Sequence, residues 1–274
     1  MGHHGRNSGE QGTGRRAEYV READKRFERT DVPRGGRHAN VIAIVVLLVV
    51  AALIGCLIWF LWQRAQSDSS LGDVSLSNSL EATTTTAPVG TTASTDSFTN
   101  VLVLTVDDVS ASSPTLEAVH ILVLDTTAEK GCLATLPAST LVTATQGSSA
   151  GDVMPLDRLL SQDGYAACVG PVSTVSAVPL SHAVVIDSSS WEELWSLVEQ
   201  GSSTSTLISK ASGLFSGMRS DMSATDFVDL FKQVQSVGRA NLTTYEDQGT
   251  EADGGLTVDT QAFGLGVGTL VTEG

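Results

Sequence analysis

Apolar positions come in two kinds of run along this chain. One is long: residues 41–62 (VIAIVVLLVVAALIGCLIWFLW) hold 22 positions without a charge. As a helix rising ~1.5 Å per residue it reaches ~33 Å, about the thickness of a bilayer's hydrocarbon core. The other runs are short and lie past residue 99. Residues 100–106 (NVLVLTV), 119–124 (VHILVL), 131–136 (GCLATL) and 183–186 (AVVI) read as strands buried on both faces. Residues 128–131 look like a tight turn between the second and third.

Helical spacing fills the intervals. Residues 154–161 and 165–178 read as helices, the second punctuated by Gly170-Pro171. Ser190 followed by Glu193 predicts a capping box, with Leu194, Trp195 and Val198 behind it. A second box, Ser223 with Asp226, precedes a stripe of Phe227, Leu230, Phe231, Val234 and Val237, the pattern of a core-facing helix. Residues 242–245 and 256–258 read as short strands around a polar loop. Strands alternating with helices predict an α/β fold: a three-layer α-β-α domain with a mainly buried mixed sheet, preceded by one transmembrane helix.

Four segments follow from this pattern: a polar cytoplasmic arm (1–39), a transmembrane anchor (40–63), a Ser/Thr-rich linker (64–98) and an extracytoplasmic domain (99–274). The long run is read as an uncleaved signal-anchor. It exceeds a usual signal-peptide core, 40 residues precede it, and no small-residue cleavage motif follows it. The arm carries nine Arg/Lys against six acids, whereas Arg64 is followed by no cation until Lys130. This asymmetry places the N-terminus in the cytoplasm and the C-terminal domain outside the cell membrane. A flexible linker of this length has an r.m.s. span of ~32 Å.

Charge narrows the partners. The net charge is −15, and the arm carries +3, which leaves −18 on residues 40–274 with only seven cations. Such a surface repels nucleic acid. Cys132 and Cys168 lie in the outer domain, where oxidation is possible, so they read either as one disulfide or as two buried thiols. His120 sits in an apolar run and reads as a packed core residue, with a general base as the other reading. No G-x-S-x-G elbow is present.

The order of elements resembles the LytR-CpsA-Psr family, bacterial single-pass envelope proteins carrying a cell envelope-related transcriptional attenuator domain. Residues 100–107 (NVLVLTVD) are similar to its first strand, which runs into Gly-x-Asp. His120-Ile-Leu-Val-Leu-Asp125, a turn and Cys132-Leu-Ala-Thr-Leu-Pro137 are similar to its central hairpin. Residues 178–187 (VPLSHAVVID) resemble its later strand, and residues 221–226 with 242–245 its closing elements. The resemblance implies transfer of a glycopolymer from a polyprenyl-pyrophosphate carrier to the cell wall, with Mg²⁺ as cofactor where the protein is active. It carries Asp107 and Glu117 over as metal-binding carboxylates.

This chain departs from that family where phosphate would be held. The family's Ile-Pro-Arg-Asp reads Leu136-Pro137-Ala138-Ser139 here, and its Arg-Ser-Asp-Thr reads Thr115-Leu116-Glu117-Ala118. A middle insert rich in arginine is missing between Gln200 and Leu207. Phosphoryl transfer needs positive charge where negative charge develops, and loss of one such donor costs ~10²–10³ in rate. Arg158, Arg219 and Arg239 remain as candidate anion contacts. The expectation is therefore a degenerate, non-catalytic binding or scaffolding module in glycopolymer assembly, with cell-wall glycopolymer, lipid-linked glycan or envelope proteins as partners. An active ligase with relocated cations is the alternative, and an unrelated surface domain a third reading.

Overall fold

The computed structural model describes residues 70–273, which fall within one compact unit. The arm, the anchor and the first residues of the expected linker lie outside the described residues. Among the described residues no helix is long and apolar enough to cross a membrane.

The elements run β1 (Ser70–Leu71), α1 (Val74–Glu81), β2 (Thr91–Ala93), β3 (Phe98–Val106), β4 (Leu116–Asp125), β5 (Lys130–Leu136), β6 (Leu141–Thr143) and β7 (Val153–Pro155). Next come α2 (Leu156–Asp163), α3 (Tyr165–Ser176), β8 (His182–Asp187), α4 (Ser188–Glu199), α5 (Thr204–Ser216), β9 (Met218–Ser220) and α6 (Ala224–Val237). The chain closes with a 3-10 turn (Arg239–Asn241), β10 (Leu242–Glu246), β11 (Thr250–Ala252), β12 (Gly255–Thr257), α7 (Thr260–Gly266) and β13 (Leu270–Thr272).

Seven strands form one mixed sheet in the order β1-β9-β8-β3-β4-β5-β10. β3 pairs parallel with β8 and antiparallel with β4, and β4 pairs antiparallel with β5. The four apolar runs are thus the four central strands, as expected of strands covered on both faces. Alternation along β3 explains the layers. Leu102, Leu104 and Val106 enter one core with Leu156, Leu159 and Cys168 from α2 and α3. Val101 and Val103 enter the opposite core with side chains of α4, α5 and α6. The mixed sheet and α/β class match the expectation.

The expected linker is corrected. Residues 70–98 are not a spacer: β1 is the sheet's edge strand, hydrogen-bonded parallel to β9, and Leu76 of α1 is 1 % exposed in the core. Asp73 caps α1, accepting hydrogen bonds from the Ser75 and Leu76 amides, and the Thr85 hydroxyl meets that of Ser173 on α3 at 2.7 Å. The folded domain therefore includes residues 70–98.

Two local readings also change. α4 starts at Ser188, directly from the end of β8, so Ser190 lies inside the helix and no side-chain cap forms. The box at Ser223 and Asp226 is present as expected. α3 runs through Pro171 without breaking. α5, with its Ser/Thr-rich sequence, was not expected at all. Its N-cap is the Ser203 side chain, which accepts from the Thr206 amide.

Candidate functional site

The site lies at the end of the sheet where the parallel strands β3 and β8 stop together, Val106 beside Asp187. Ligands of open α/β sheets gather at the carboxyl ends of such strands. Here the backbone leaves β3 into a loop of residues 107–115 and leaves β8 straight into α4.

Acidic side chains organise this end. The Asp107 carboxylate accepts from the amides of Thr115 at 2.8 Å and Asp108 at 2.9 Å. The Thr115 amide above all, then that of Asp108, hold this exposed carboxyl below the usual range. Asp187 accepts from the Val109 amide at 2.5 Å, pinning the loop to the start of α4. Gly217 lies against the same carboxylate, where an added Cβ would clash with Asp187 Oδ2.

Glu117 reaches this place through a break in register. Along β4, Ala118 faces Thr105, but Leu116 faces Val106, so Glu117 is an extra, bulged residue. Its carboxylate accepts from the Ser188 hydroxyl, which also contacts the Val106 carbonyl at 3.1 Å. Asp107 and Glu117 thus lie at the same end of the sheet.

One Asp107 oxygen is occupied by two amides, and a Glu117 oxygen by Ser188. Among the described residues no group of three or more His, Cys, Asp or Glu side chains is placed to hold a metal ion. Mg²⁺ is commonly held by one or two carboxylates together with waters and substrate phosphates, and Asp107 and Glu117 are the carboxylates that would hold it at this end of the sheet.

Beside the acids opens a cleft of about 510 Å³, lined by the loop at Val109–Pro114, by Tyr165 and Ala166 of α3, and by Arg219 of β9. The Arg219 guanidinium lies 5.9 Å from the Tyr165 ring centre and 3.9 Å from the Asp73 carboxylate. The Tyr165 hydroxyl donates to the Val109 carbonyl at 3.3 Å. Burial pushes this phenol above its ordinary value; Arg219 opposes the shift, and Asp187, Asp107 and Asp108 add to it.

Of the candidate anion-binding arginines whose side chains are described, Arg219 is placed here. Arg158 is exposed on α2 and is not among the residues lining the cleft. Arg239 opens the 3-10 turn, and its side chain lies outside the described residues.

The second cavity is of opposite character. A slot of about 50 Å³ runs between α4 and α6 over the sheet, lined only by apolar side chains. Val103, Leu122 and Ile186 form its floor, Trp191 and Trp195 one wall, and Phe231 part of the other. His120 stacks on Trp191 at 5.0 Å, and Trp191 on Trp195 at 5.7 Å. Burial drives the His120 imidazole down to about 4, so it is neutral near pH 7. Its Nδ1 lies 2.9 Å from the Thr135 hydroxyl. Ser188, the partner of Glu117, stands about one turn of α4 before Trp191. The acidic end of the sheet therefore adjoins one end of the slot.

Thr105 marks that junction. It shares the slot-facing side of β3 with Val101 and Val103 and is in register with Ile186. It is 4 % exposed, and its hydroxyl has no hydrogen-bond partner. Sequence reasoning passed over it, although it is the one polar residue within the run VLVLTV. Tyr165 and Asp187 were passed over too. Their signal is spatial, since both converge on a loop remote from them in sequence.

The possible disulfide is corrected. Cys132 and Cys168 are free, buried thiols. The Cys168 thiol points at the Gly164 and Leu156 carbonyls, at 3.8 and 4.0 Å, and burial pushes it up to about 12. His182, at the far end of β8, pairs its Nδ1 with Asp221 at 2.8 Å, and Asp221 also accepts from the Ala183 amide. That pair clamps the start of the strand.

No protein-family model matches the sequence, and comparison with curated proteins finds no match. Among solved structures the chain is similar to TagV of B. subtilis, at 10 % identity and a TM-score of 0.46 over 60 % of this chain and 91 % of that one. It is similar to TagT bound to LIIa-WTA, at 11 % identity and a TM-score of 0.46 over 62 % and 87 %. The gbs0355 protein of Streptococcus agalactiae is similar at 10 % identity and a TM-score of 0.46 over 59 % and 82 %.

Proposed function

We propose that this chain is a LytR-CpsA-Psr-like envelope protein, anchored by residues 41–62 with its folded domain outside the membrane. In this reading it is a non-catalytic binding or scaffolding module in cell-wall glycopolymer assembly. The domain holds the apolar chain of an isoprenoid-type lipid between α4 and α6.

One observation carries the reading: an apolar slot adjoins a sheet end dominated by carboxylates, with Arg219 the cation described beside it. The slot supplies what an isoprenoid chain needs, a wall free of polar atoms. At about 50 Å³ it takes a short apolar segment, and a longer chain requires α4 and α6 to part. The neighbouring sheet end supplies Asp107, Asp187 and Glu117, whereas pyrophosphate chemistry asks for cations or a metal. Ala138 and Ser139 stand where the resembled family carries Arg and Asp, so nothing there replaces the missing charge.

A ligase reading is favoured by Arg219, whose guanidinium flanks the cleft beside Tyr165. The two readings separate in one assay. The full chain in nanodiscs is offered a polyprenyl-pyrophosphate glycan with Mg²⁺, and released phosphate and transferred glycan are measured. The expected result is no turnover above background. Metal-dependent turnover that disappears in Asp107→Ala and Arg219→Ala would establish the ligase.

A further inference from the structure

We propose that a third cavity, a cleft of about 270 Å³ between the end of α1, the loop after β6 and the middle of α3, binds a primary ammonium group. It shares no lining residue with the cleft beside Arg219 or with the apolar slot. The inference is independent of what the slot holds.

The hydrogen bonds of the cleft wall define the ligand class. No charged side chain is among the described residues that line it; its polar groups are those of Ser, Thr and Gln. Ser79 donates its hydroxyl to the Ser75 carbonyl at 2.9 Å, Thr83 to the Ser79 carbonyl at 2.7 Å, and Thr174 to the Gly170 carbonyl at 3.0 Å. Gln146 directs Nε2 at the Ser79 hydroxyl, 3.0 Å away, and at the Ala166 carbonyl, 2.6 Å away. Both of its N–H groups are thereby committed, and the carbonyl partner fixes which way the amide faces. These donors are spent on the protein itself. The oxygens of Thr83, Thr174 and Gln146 remain, and no group among the described residues donates to them. A wall of acceptors is complemented by a ligand that donates.

Gly170 keeps the space open. It lies inside α3, and its φ is not positive, so its backbone does not call for glycine. Glycine also weakens a helix interior relative to alanine. An added Cβ would stand 2.8 Å from the Thr145 hydroxyl and 3.7 Å from that of Thr83. It would fill the ground between two groups of the wall.

An ammonium carries three N–H donors and no acceptor, which matches three free oxygens. A carboxylate or phosphate would meet lone pairs alone. The net charge of −18 on residues 40–274 adds a field that concentrates small cations. An amino sugar and an alkyl diamine both present this group.

The test uses the full chain in nanodiscs and ligand-observed saturation-transfer NMR. The probes are glucosamine, 1,5-diaminopentane and N-acetylglucosamine, the last having the ring of the first with its ammonium masked as an amide. Saturation transfer is expected to at least one of the two amines, and which one identifies the source of the group. N-acetylglucosamine should bind at least tenfold more weakly than glucosamine if the sugar is the source, and not at all if the diamine is. Gly170→Ala should weaken the bound amine at least fivefold. It leaves every charge in place, so attraction to the acidic surface in general would not respond to it. Thr174→Val, at an exposed position, removes one acceptor without touching the close approach at Gly170, and should weaken the amine about threefold with an unchanged melting temperature. Absence of transfer to both amines would overturn the proposal, as would equal binding of N-acetylglucosamine and glucosamine. Amine binding unchanged in both variants would overturn it too.

Discussion

The two faces of the central sheet are covered differently. On one, α2 and α3 sink Leu156, Leu159, Ala167, Cys168 and Val172 onto Leu102, Leu104 and Val119, all at 3 % exposure or less. On the other, α4 and α6 cover Val101, Val103 and Leu122, but Trp191, Leu194, Trp195 and Val198 stay partly exposed. The closed face uses small and branched aliphatic side chains, which fill space in well-defined rotamers. The open face uses wide aromatic rings, which stack on one another and hold the helices apart. Trp191 stacks on His120 of the sheet at 5.0 Å and on Trp195 at 5.7 Å, and the slot lies beside this row of rings.

The largest expected effect probes this contrast directly. Leu159→Ala on the closed face should lower the unfolding free energy by ~3–5 kcal/mol, the cost of a core cavity that cannot collapse. Trp195→Ala on the open face removes a larger side chain, yet should cost only ~1–2 kcal/mol, because its ring is partly hydrated already. Chemical denaturation of both variants checks the pair, and equal losses would mean that the faces are packed alike.

The next effect is set by pH. The His120 imidazole titrates near 4 in the folded chain, against ~6.5 when unfolded. Its contribution is therefore complete above pH 6.5 and is lost as pH falls toward 4, since the unfolded chain takes up the proton first. Over that window the loss reaches at most ~3 kcal/mol. His120→Leu should flatten the stability profile between pH 6.5 and 4, while both proteins still lose stability below pH 4 as carboxylates protonate. A parallel decline of the two curves through the upper window would show that His120 does not lie in the poorly hydrated wall described.

The smallest effect concerns the frame of the open face. Ser223→Ala removes the capping box of α6, in which Ser223 accepts from the Asp226 amide and Asp226 accepts from that of Ser223. A loss of ~1 kcal/mol is expected. Because α6 forms one wall of the slot, amide exchange should quicken in its first turn and stay unchanged in α2. Uniform acceleration would tie the two faces into one cooperative unit.

Much of the closed architecture is legible in the sequence, because apolar runs bounded by turn residues leave few alternatives to buried strands. The strands at 100–106, 119–124, 131–136 and 183–186 lie within β3, β4, β5 and β8. Segments rich in Ser and Thr are not legible in this way. Residues 70–98 look like a linker by composition, yet Leu71, Leu76 and Leu80 suffice to dock β1 and α1. The α5 sequence TSTLISKASGLFS hides a helix among residues of weak helical preference.

The site was legible only in fragments. Asp107 and Glu117 were found by resemblance and Arg219 as one of the few cations of the domain, but their contacts depend on chain crossings that no local pattern records. The slot belongs to no single residue; it arises from the spacing of two helices.

The bulge at Glu117 has a consequence for how this carboxylate could be gained or lost. Leu116 and Val119 both enter the closed face, although an uninterrupted strand would send residues three apart to opposite sides. Without residue 117, Leu116 would still face Val106, Ala118 would still face Thr105, and strict alternation would run the length of β4. Removal of one codon therefore deletes an acidic group from the edge of the slot while every other side chain of the strand keeps its neighbour. At this position a genome can add or withdraw a charge without renegotiating the fold.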